Sequence, residues 1–299
     1  MSATEESDAQ TQDELTQAQL AAIENDIKST QPLTSQLLPI SALLHQYSND
    51  NEAQQQSAAA AGFLQSAQFL SKKYSSLRRV RGDGNCYYRA FLYSLCEHFL
   101  LSNKDDGSKK KEFHRIKEKV VNSLKWVCQF GYEEMTIDMF HEELVDLLDF
   151  LAQDVDESNT NHNDAKRQQQ LHTKLNEENS TSDYCTWYLR VLTAAQMKSN
   201  PDRFLPFLLA DELLHGDDIM DIATFCSREV EPMGRECGMV TVAALAECLG
   251  VKVVIEYVDG RVVNGGEKVV NHVFGDEGEE EGICLTLLYR PGHYDILYQ

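Results

Sequence analysis

The chain has 299 residues and carries 48 Asp and Glu against 27 Lys and Arg, a formal net charge of -21. That excess of acid argues against unassisted binding to nucleic acid or to an anionic membrane surface, and it favours a basic or mixed-charge protein partner. With 42% hydrophobic residues the chain can hold one large core or two small ones, and no apolar run approaches the roughly 20 residues of a membrane span.

Residues 1–12 are acidic and polar with nothing to bury, so disorder is expected there. No charged-then-apolar leader pattern occurs as far as Asp50. From Asp13 to Lys28, Leu15, Leu20, Ile23 and Ile27 form a narrow apolar stripe on a helix. Such a helix is marginal alone, which suits an arm that docks on the rest of the chain or orders on a partner. Pro32 ends it; Leu33 to Tyr47 is a second apolar segment, and a polar Gln- and Ala-rich stretch over 48–61 leads to a helix near Phe63 to Tyr74. An amphipathic helix opens at Cys86, where Tyr87, Ala90, Phe91, Ser94, Leu95 and Phe99 recur at helical spacing.

After a charged loop over 102–111, Ile116, Val120, Leu124 and Val127 mark one face of a helix from Glu112 to Phe130, stopped by Gly131. Phe140, Leu144, Leu147, Leu148 and Leu151 mark the next, from Thr136 to Leu151, with 154–164 as polar loop. Ser182 or Asp183 is placed to cap a helix running to about Met197 and closed by Asn200-Pro201. Helical segments follow Phe204 and cover 217–228. The pattern then changes: Met239 to Leu249 reads as a buried helix with Gly250 as its stop, and Val251 to Val258 is rich in β-branched residues. Asp259-Gly260 marks a turn, and strands are expected at Val269–Phe274, Ile283–Arg290 and His293–Tyr298, the last after a Pro291-Gly292 turn. Strands gathered at the C-terminal end of a helix-rich chain imply an α+β (α/β-like) domain around a small β-sheet.

The eight cysteines are scattered through apolar segments, without the dense spacing of a secreted disulfide scaffold, which implies a reducing compartment. No CxxC pair occurs, and Cys226, Cys237 and Cys248 lack a fourth ligand nearby, so three buried thiols are expected in place of a zinc site.

Cys86 is the exception, because it follows the glycine-punctuated run Arg81-Gly82-Asp83-Gly84-Asn85. Unpaired N–H groups at a helix N-terminus favour an anion, so one turn of backbone there can serve a nucleophile and hold a developing negative oxygen. The same local pattern also fits a small buried thiol. A nucleophilic cysteine needs a base, usually His, held by a third polar group. Of nine histidines, His45, His98, His114, His141, His162, His172, His215 and His272 lie in ordinary helical, loop or strand contexts. His293 starts a strand and is followed two residues later by Asp295, on the same face, where a carboxylate can orient the ring. A surface His–Asp pair has the same signature, but an early helix-start cysteine with a late strand-borne histidine is the chain order of papain-like cysteine peptidases. His141-Glu142 lacks the second histidine of a zinc-peptidase helix, and Gly82-x-Gly84 has Tyr87 where a dinucleotide fingerprint needs its third glycine.

The run from Gly82 to Phe91 and the tail Leu288-Tyr289-Arg290-Pro291-Gly292-His293-Tyr294-Asp295-Ile296-Leu297-Tyr298 together resemble the otubains, ovarian-tumour-domain (OTU) cysteine peptidases that remove ubiquitin. Ser182-Asp183-Tyr184, Tyr188-Leu189-Arg190 and Glu229-Val230-Glu231-Pro232-Met233 extend the likeness, which runs from about Asp13 to Gln299. The resemblance implies a papain-like fold, with Cys86 as nucleophile, His293 as general base and then acid, and Asp295 orienting the imidazole. Asp83 would shape an oxyanion loop of Asp83, Gly84, Asn85 and Cys86. It also implies an N-terminal arm, residues 1–30, whose Leu20, Ile23 and Ile27 grip the second ubiquitin of a chain, ahead of an OTU-type catalytic domain over 31–299.

The implied partners are ubiquitin, polyubiquitin chains of the compact lysine linkage that marks proteins for the proteasome, and ubiquitin-conjugating enzymes. No cofactor, metal, nucleic acid or membrane is implied, and the location is cytoplasmic with the nucleus as a second compartment. The family also offers an alternative, a non-catalytic inhibitor that binds ubiquitin-charged conjugating enzymes. The chain departs from the family where Gly238-Met239 stands in place of an Asp-His pair, and in the acidic run Glu279-Glu280-Glu281. Both put the detail of ubiquitin contact, not the catalytic chemistry, in question.

Overall fold

A computed structural model describes residues 18–19, 22–23, 25–48, 57–101, 107–152, 160–215, 221–261, 269–275 and 282–299. The strands are β1 (Leu38–Pro39), β2 (Ser76–Arg78), β3 (Lys252–Tyr257), β4 (Val270–Phe274), β5 (Cys284–Arg290) and β6 (His293–Tyr298). They form one sheet in the order β1-β2-β6-β5-β3-β4, antiparallel throughout except between β3 and β5. The helices are α1 (Ser41–Ser48), α2 (Ala58–Lys73), α3 (Cys86–Leu101), α4 (Gly107–Val127), α5 (Glu134–Ala152), α6 (Thr160–Asn176), α7 (Thr181–Ser199), α8 (Pro201–His215), α9 (Ile222–Phe225) and α10 (Met239–Leu249).

The alternation of strand side chains divides the apolar residues between the two sheet faces. Val253, Ile255, Leu285, Leu287, Tyr294 and Ile296 join the main core with residues of α3 to α7 and α10. Leu77, Leu288 and Leu297 join a smaller cluster with Leu43 of α1 and Ala67 and Leu70 of α2. His293 and Asp295 therefore share the face of Leu297, while Tyr294 between them faces the helix that begins at Cys86. Inside the main core, α7 is buried nearly all round, from Thr181 to Met197, as a helix surrounded by others must be.

The expected helices at Cys86, Glu112, Thr136, Ser182 and Met239 and the late strands are all present, with ends shifted by a few residues. Gly250 adopts φ +63° and closes α10 through its N–H to Ala246 and Glu247. Other readings need correction. Residues 160–164, expected as loop, open α6, a helix with Leu171 and Leu175 in the core but rich in Gln, Lys and Arg, which favour helix without leaving an apolar stripe. Strand β2 is too short to show alternation, and its Arg78 is buried against Glu97. Past α9 the chain continues as a wide π turn, Cys226–Val230, while 216–220 lie outside the described residues. Cys226 and Cys237 are buried as expected, but Cys248 is half-buried, and all eight cysteines are free thiols. Among the described residues no helix is long and apolar enough to cross a membrane.

Of the arm residues, Leu15 and Leu20 lie outside the described residues. Residues 25–30 are helical, Ile23 is 56% exposed and Ile27 is half-buried. The end of this helix is fixed by Arg81, which donates to the carbonyls of Gln31 at 2.8 and 2.5 Å and Lys28 at 3.3 Å and pairs with Glu178 at 2.6 Å.

Candidate active site

The loop into α3 needs an unusual backbone. Gly84 sits at φ +73°, and a Cβ there would stand 2.0 Å from the carbonyl oxygen of Gly234, so two loops meet backbone to backbone at this point. Asn85, 5% exposed, accepts from the Gly234 N–H at 2.9 Å and from Arg190 at 2.8 Å through its side-chain oxygen. Arg190 lies beneath both loops with no exposure. It donates to the carbonyls of Gly84, Val230 and Arg235 at 2.8, 2.8 and 2.7 Å and stacks 4.5 Å over the Tyr88 ring. Burial holds its pKa below the usual guanidinium value, and among the described residues no carboxylate forms an ion pair with it.

Asp83 faces the start of α7 and not the imidazole. One oxygen accepts the Asn85 N–H at 3.0 Å, and the other binds Arg89 at 2.9 Å. Arg89 also reaches Asp183 at 2.7 Å and Ser182 at 2.9 Å, tying the loop to α7. Of the four oxyanion-loop residues, Asn85 thus has its amide already engaged, whereas the amides of Gly84 and Cys86 make no hydrogen bond among the described residues.

The histidine wall is built on β6. His293 Nε2 lies 2.9 Å from an oxygen of the fully buried Asp295. That same oxygen accepts the Val80 N–H at 3.0 Å, and the other oxygen binds Arg290. With Nε2 engaged, Nδ1 is the nitrogen turned to the loop, 3.7 Å from where a Cβ on Gly82 would be. Burial opposes charge on this ring, but the bonds to Asp295 and Cys86 outweigh it and push the imidazole up to about 9. Asp295, despite its burial, is held below the usual carboxylate range by His293, Arg290 and the Val80 amide. Cys86 itself is 3% exposed at the first position of α3.

The structure therefore brings Cys86, His293 and Asp295 together, with Asp83 positioned one layer behind the loop. Three arginines were not singled out as site residues from the sequence: Arg89, Arg190 and Arg290. Arg190 alone left a trace, as a lone cation in the apolar run Leu189-Arg190-Val191-Leu192, where an unexposed charge needs a specific set of acceptors.

Residues 26–299 match the family model described as Peptidase C65 Otubain. Ubiquitin thioesterase OTUB1 of Homo sapiens is 35% identical over 287 residues, covering 96% of this chain and 90% of that protein. The ubiquitin thioesterase otubain-like protein of Caenorhabditis elegans is 30% identical over 285 residues, covering 94% and 86%. Among solved structures, the complex of h/ceOTUB1 with ubiquitin aldehyde and UBCH5B~Ub superposes with a TM-score of 0.74 at 29% identity, covering 96% of this chain and 98% of that one. The complex of ceOTUB1 with ubiquitin aldehyde and UBC13~Ub gives 0.73 at 30% identity, covering 94% and 98%.

Proposed function

The chain belongs to the otubain family, and from that membership and the line of Asp295, His293 and Cys86 we propose a cysteine-type deubiquitinase that hydrolyses the isopeptide bond after ubiquitin's C-terminal Gly-Gly. The observation that carries the reading is the His293 ring, fixed through Nε2 by a buried carboxylate so that its other nitrogen serves the first residue of α3. In this reading the Cys86 thiol passes its proton to His293 Nδ1, the thiolate attacks the isopeptide carbonyl and a tetrahedral oxyanion forms. The Gly84 and Cys86 amides receive its charge, with the α3 dipole behind them. His293 then gives its proton to the departing lysine amine, leaving a thioester. The neutral imidazole takes a proton from water, whose oxygen displaces the sulfur and releases the ubiquitin carboxylate.

The finer features are part of the same proposal: a preference for the compact, proteasome-targeting linkage, an arm over residues 1–30 that meets the second ubiquitin through Leu20, Ile23 and Ile27, a catalytic domain over 31–299, and a cytoplasmic and nuclear location. The exposure of Ile23 supports the arm. The test is cleavage of a panel of differently linked diubiquitins under reducing conditions by wild type and Cys86→Ala. The expected result is one preferred linkage cut by wild type and none by the variant; cleavage that survives Cys86→Ala ends the assignment.

One observation favours a second reading, restraint of charged ubiquitin-conjugating enzymes without catalysis. Met135, 97% exposed, and Met139, 53% exposed, lie one turn apart at the start of α5, an apolar and adaptable patch on an otherwise acidic chain. If it holds, Cys86→Ala still inhibits ubiquitin transfer, and Met135→Asp with Met139→Asp abolishes the inhibition.

A further inference from the structure

Beside His293 lies a cavity of about 450 Å3 whose wall includes Gln31, Gln46, Arg79, Gly82 and Arg290. Neither Cys86 nor Gly84 lines it, so it is reached past the imidazole and not past the nucleophile. A general acid must touch the departing nitrogen, so space behind that acid is where the leaving chain continues.

The charge of this wall runs against that of the molecule. The chain carries -21 overall, yet the described lining holds two arginines and an imidazole and no carboxylate. The two arginines differ. Arg290 is neutralised by the buried Asp295. Arg79 has no ion pair among the described residues, and its guanidinium makes one long hydrogen bond, 3.4 Å to the Ala42 carbonyl. Its stem is nevertheless fixed, since its carbonyl accepts from the Ser35 N–H at 2.7 Å and its own N–H donates to the Ser35 hydroxyl at 2.8 Å. The next residue, Val80, donates to Asp295, which sets Arg79 one residue from the catalytic line. A clamped backbone with an uncompensated cation at its tip, facing a cavity, is an arrangement for receiving an anion.

We propose that this cavity is the subsite for the leaving chain and that Arg79 binds a carboxylate beside the modified lysine, so that lysines flanked by Asp or Glu are preferred. The proposal rests on the peptidase reading above. It is tested with ubiquitin joined through its C-terminus to the ε-amine of a lysine in short peptides flanked either by Glu or by Lys. The expected ratio of kcat/KM, Glu-flanked over Lys-flanked, is about threefold to fivefold for wild type at low salt, the range of a part-exposed ion pair, and it shrinks as salt is added. Arg79→Gln brings the ratio to about one, Arg79→Glu inverts it and Arg79→Lys keeps most of it. Because each ratio is taken within one preparation, loss of folded protein cancels. A wild-type ratio of one, or a ratio unchanged in Arg79→Gln, overturns the subsite. Ubiquitin bearing a C-terminal aminocoumarin has no flanking chain; if wild type leaves it uncut, the peptidase reading falls by itself. The subsite is then judged by the affinity of Cys86→Ala for the two conjugates, and equal affinities overturn it.

Discussion

Each wall of the cleft rests on an arginine, Arg190 buried and Arg290 half-buried, and the two differ in their partners. On the cysteine wall Arg190 donates to neutral oxygens, three carbonyls and the Asn85 amide, so among the described residues its charge has no carboxylate bound directly to it. On the histidine wall Arg290 is paired with Asp295, and the carboxylate's second oxygen is left to the imidazole. In the proposed reaction the cysteine wall thus keeps a positive group beneath the loop where negative charge would develop on an oxyanion. The histidine wall turns a full ion pair into a neutral clamp that fixes a ring and leaves its proton movable. Nucleophile loop and base need different things from the same residue type, and the partner supplied to each arginine sets the difference.

The largest effect on this contrast comes from Asp295→Asn. It preserves shape but removes the charge that both His293 and Arg290 face, and kcat/KM for diubiquitin falls by about 10⁴-fold, of the order found when a triad carboxylate is neutralised. Steady-state kinetics check it; a loss under tenfold would show that the imidazole orients without the charge. Next is Arg190→Met, which takes the guanidinium donor from the carbonyls of Gly84, Val230 and Arg235 and leaves the Asn85 oxygen with the Gly234 N–H alone. Unfolding by urea should show a loss of about 3–5 kcal/mol, with activity lost in proportion to the unfolded fraction. An unchanged midpoint would mean that the two loops hold each other without the guanidinium. Smaller again is Gly84→Ala, which meets the Gly234 carbonyl and a left-handed backbone angle. Its expected signature is a kcat lowered about 10-fold to 100-fold with KM little changed, since the loop is moved and the ubiquitin surface is not.

Much of this was legible in the sequence, and unevenly so. Strand β6 and helix α3 were readable because each carries its signal within a few residues: a Pro-Gly turn before His293, glycines before Cys86, and a clean apolar period after them. From the residues alone, His-x-Asp could still be a surface pair; burial of Asp295 under Val80 and Arg290 decides otherwise, and that depends on strands distant in sequence. The same holds for Asp83, whose partner Arg89 is near in sequence but whose anchorage to Ser182 and Asp183 crosses the core. Helix α6 was missed because its helicity comes from side-chain propensity and not from an apolar stripe. Strand β2 was missed because three residues cannot display a period of two. Arg190 was visible as an oddity but not as a hub, since all four of its acceptors lie on other segments.

The smallest effect gives the finest test of the contrast, because it follows the His293 proton, which Asp295 on its own wall and Cys86 on the other both favour. His293 is raised from 6.5 to about 9, so what its proton contributes to the folded state is complete below pH 6.5 and is lost as pH rises through 9. Asp295 is held below 3.8, so its contribution is present above that value and is lost as pH falls through the lowered one. Between these limits the pair is a carboxylate and an imidazolium, and the proton needed by the departing amine is in place. The expected kcat/KM profile therefore has an alkaline limb with its midpoint near 9. Replacing Asp295 with Asn should move that limb toward 6.5 while Arg190→Lys leaves it where it is, since Arg190 faces the other wall. A limb that moves equally in both variants would mean that the two walls titrate as one unit and that the division between them is only geometric.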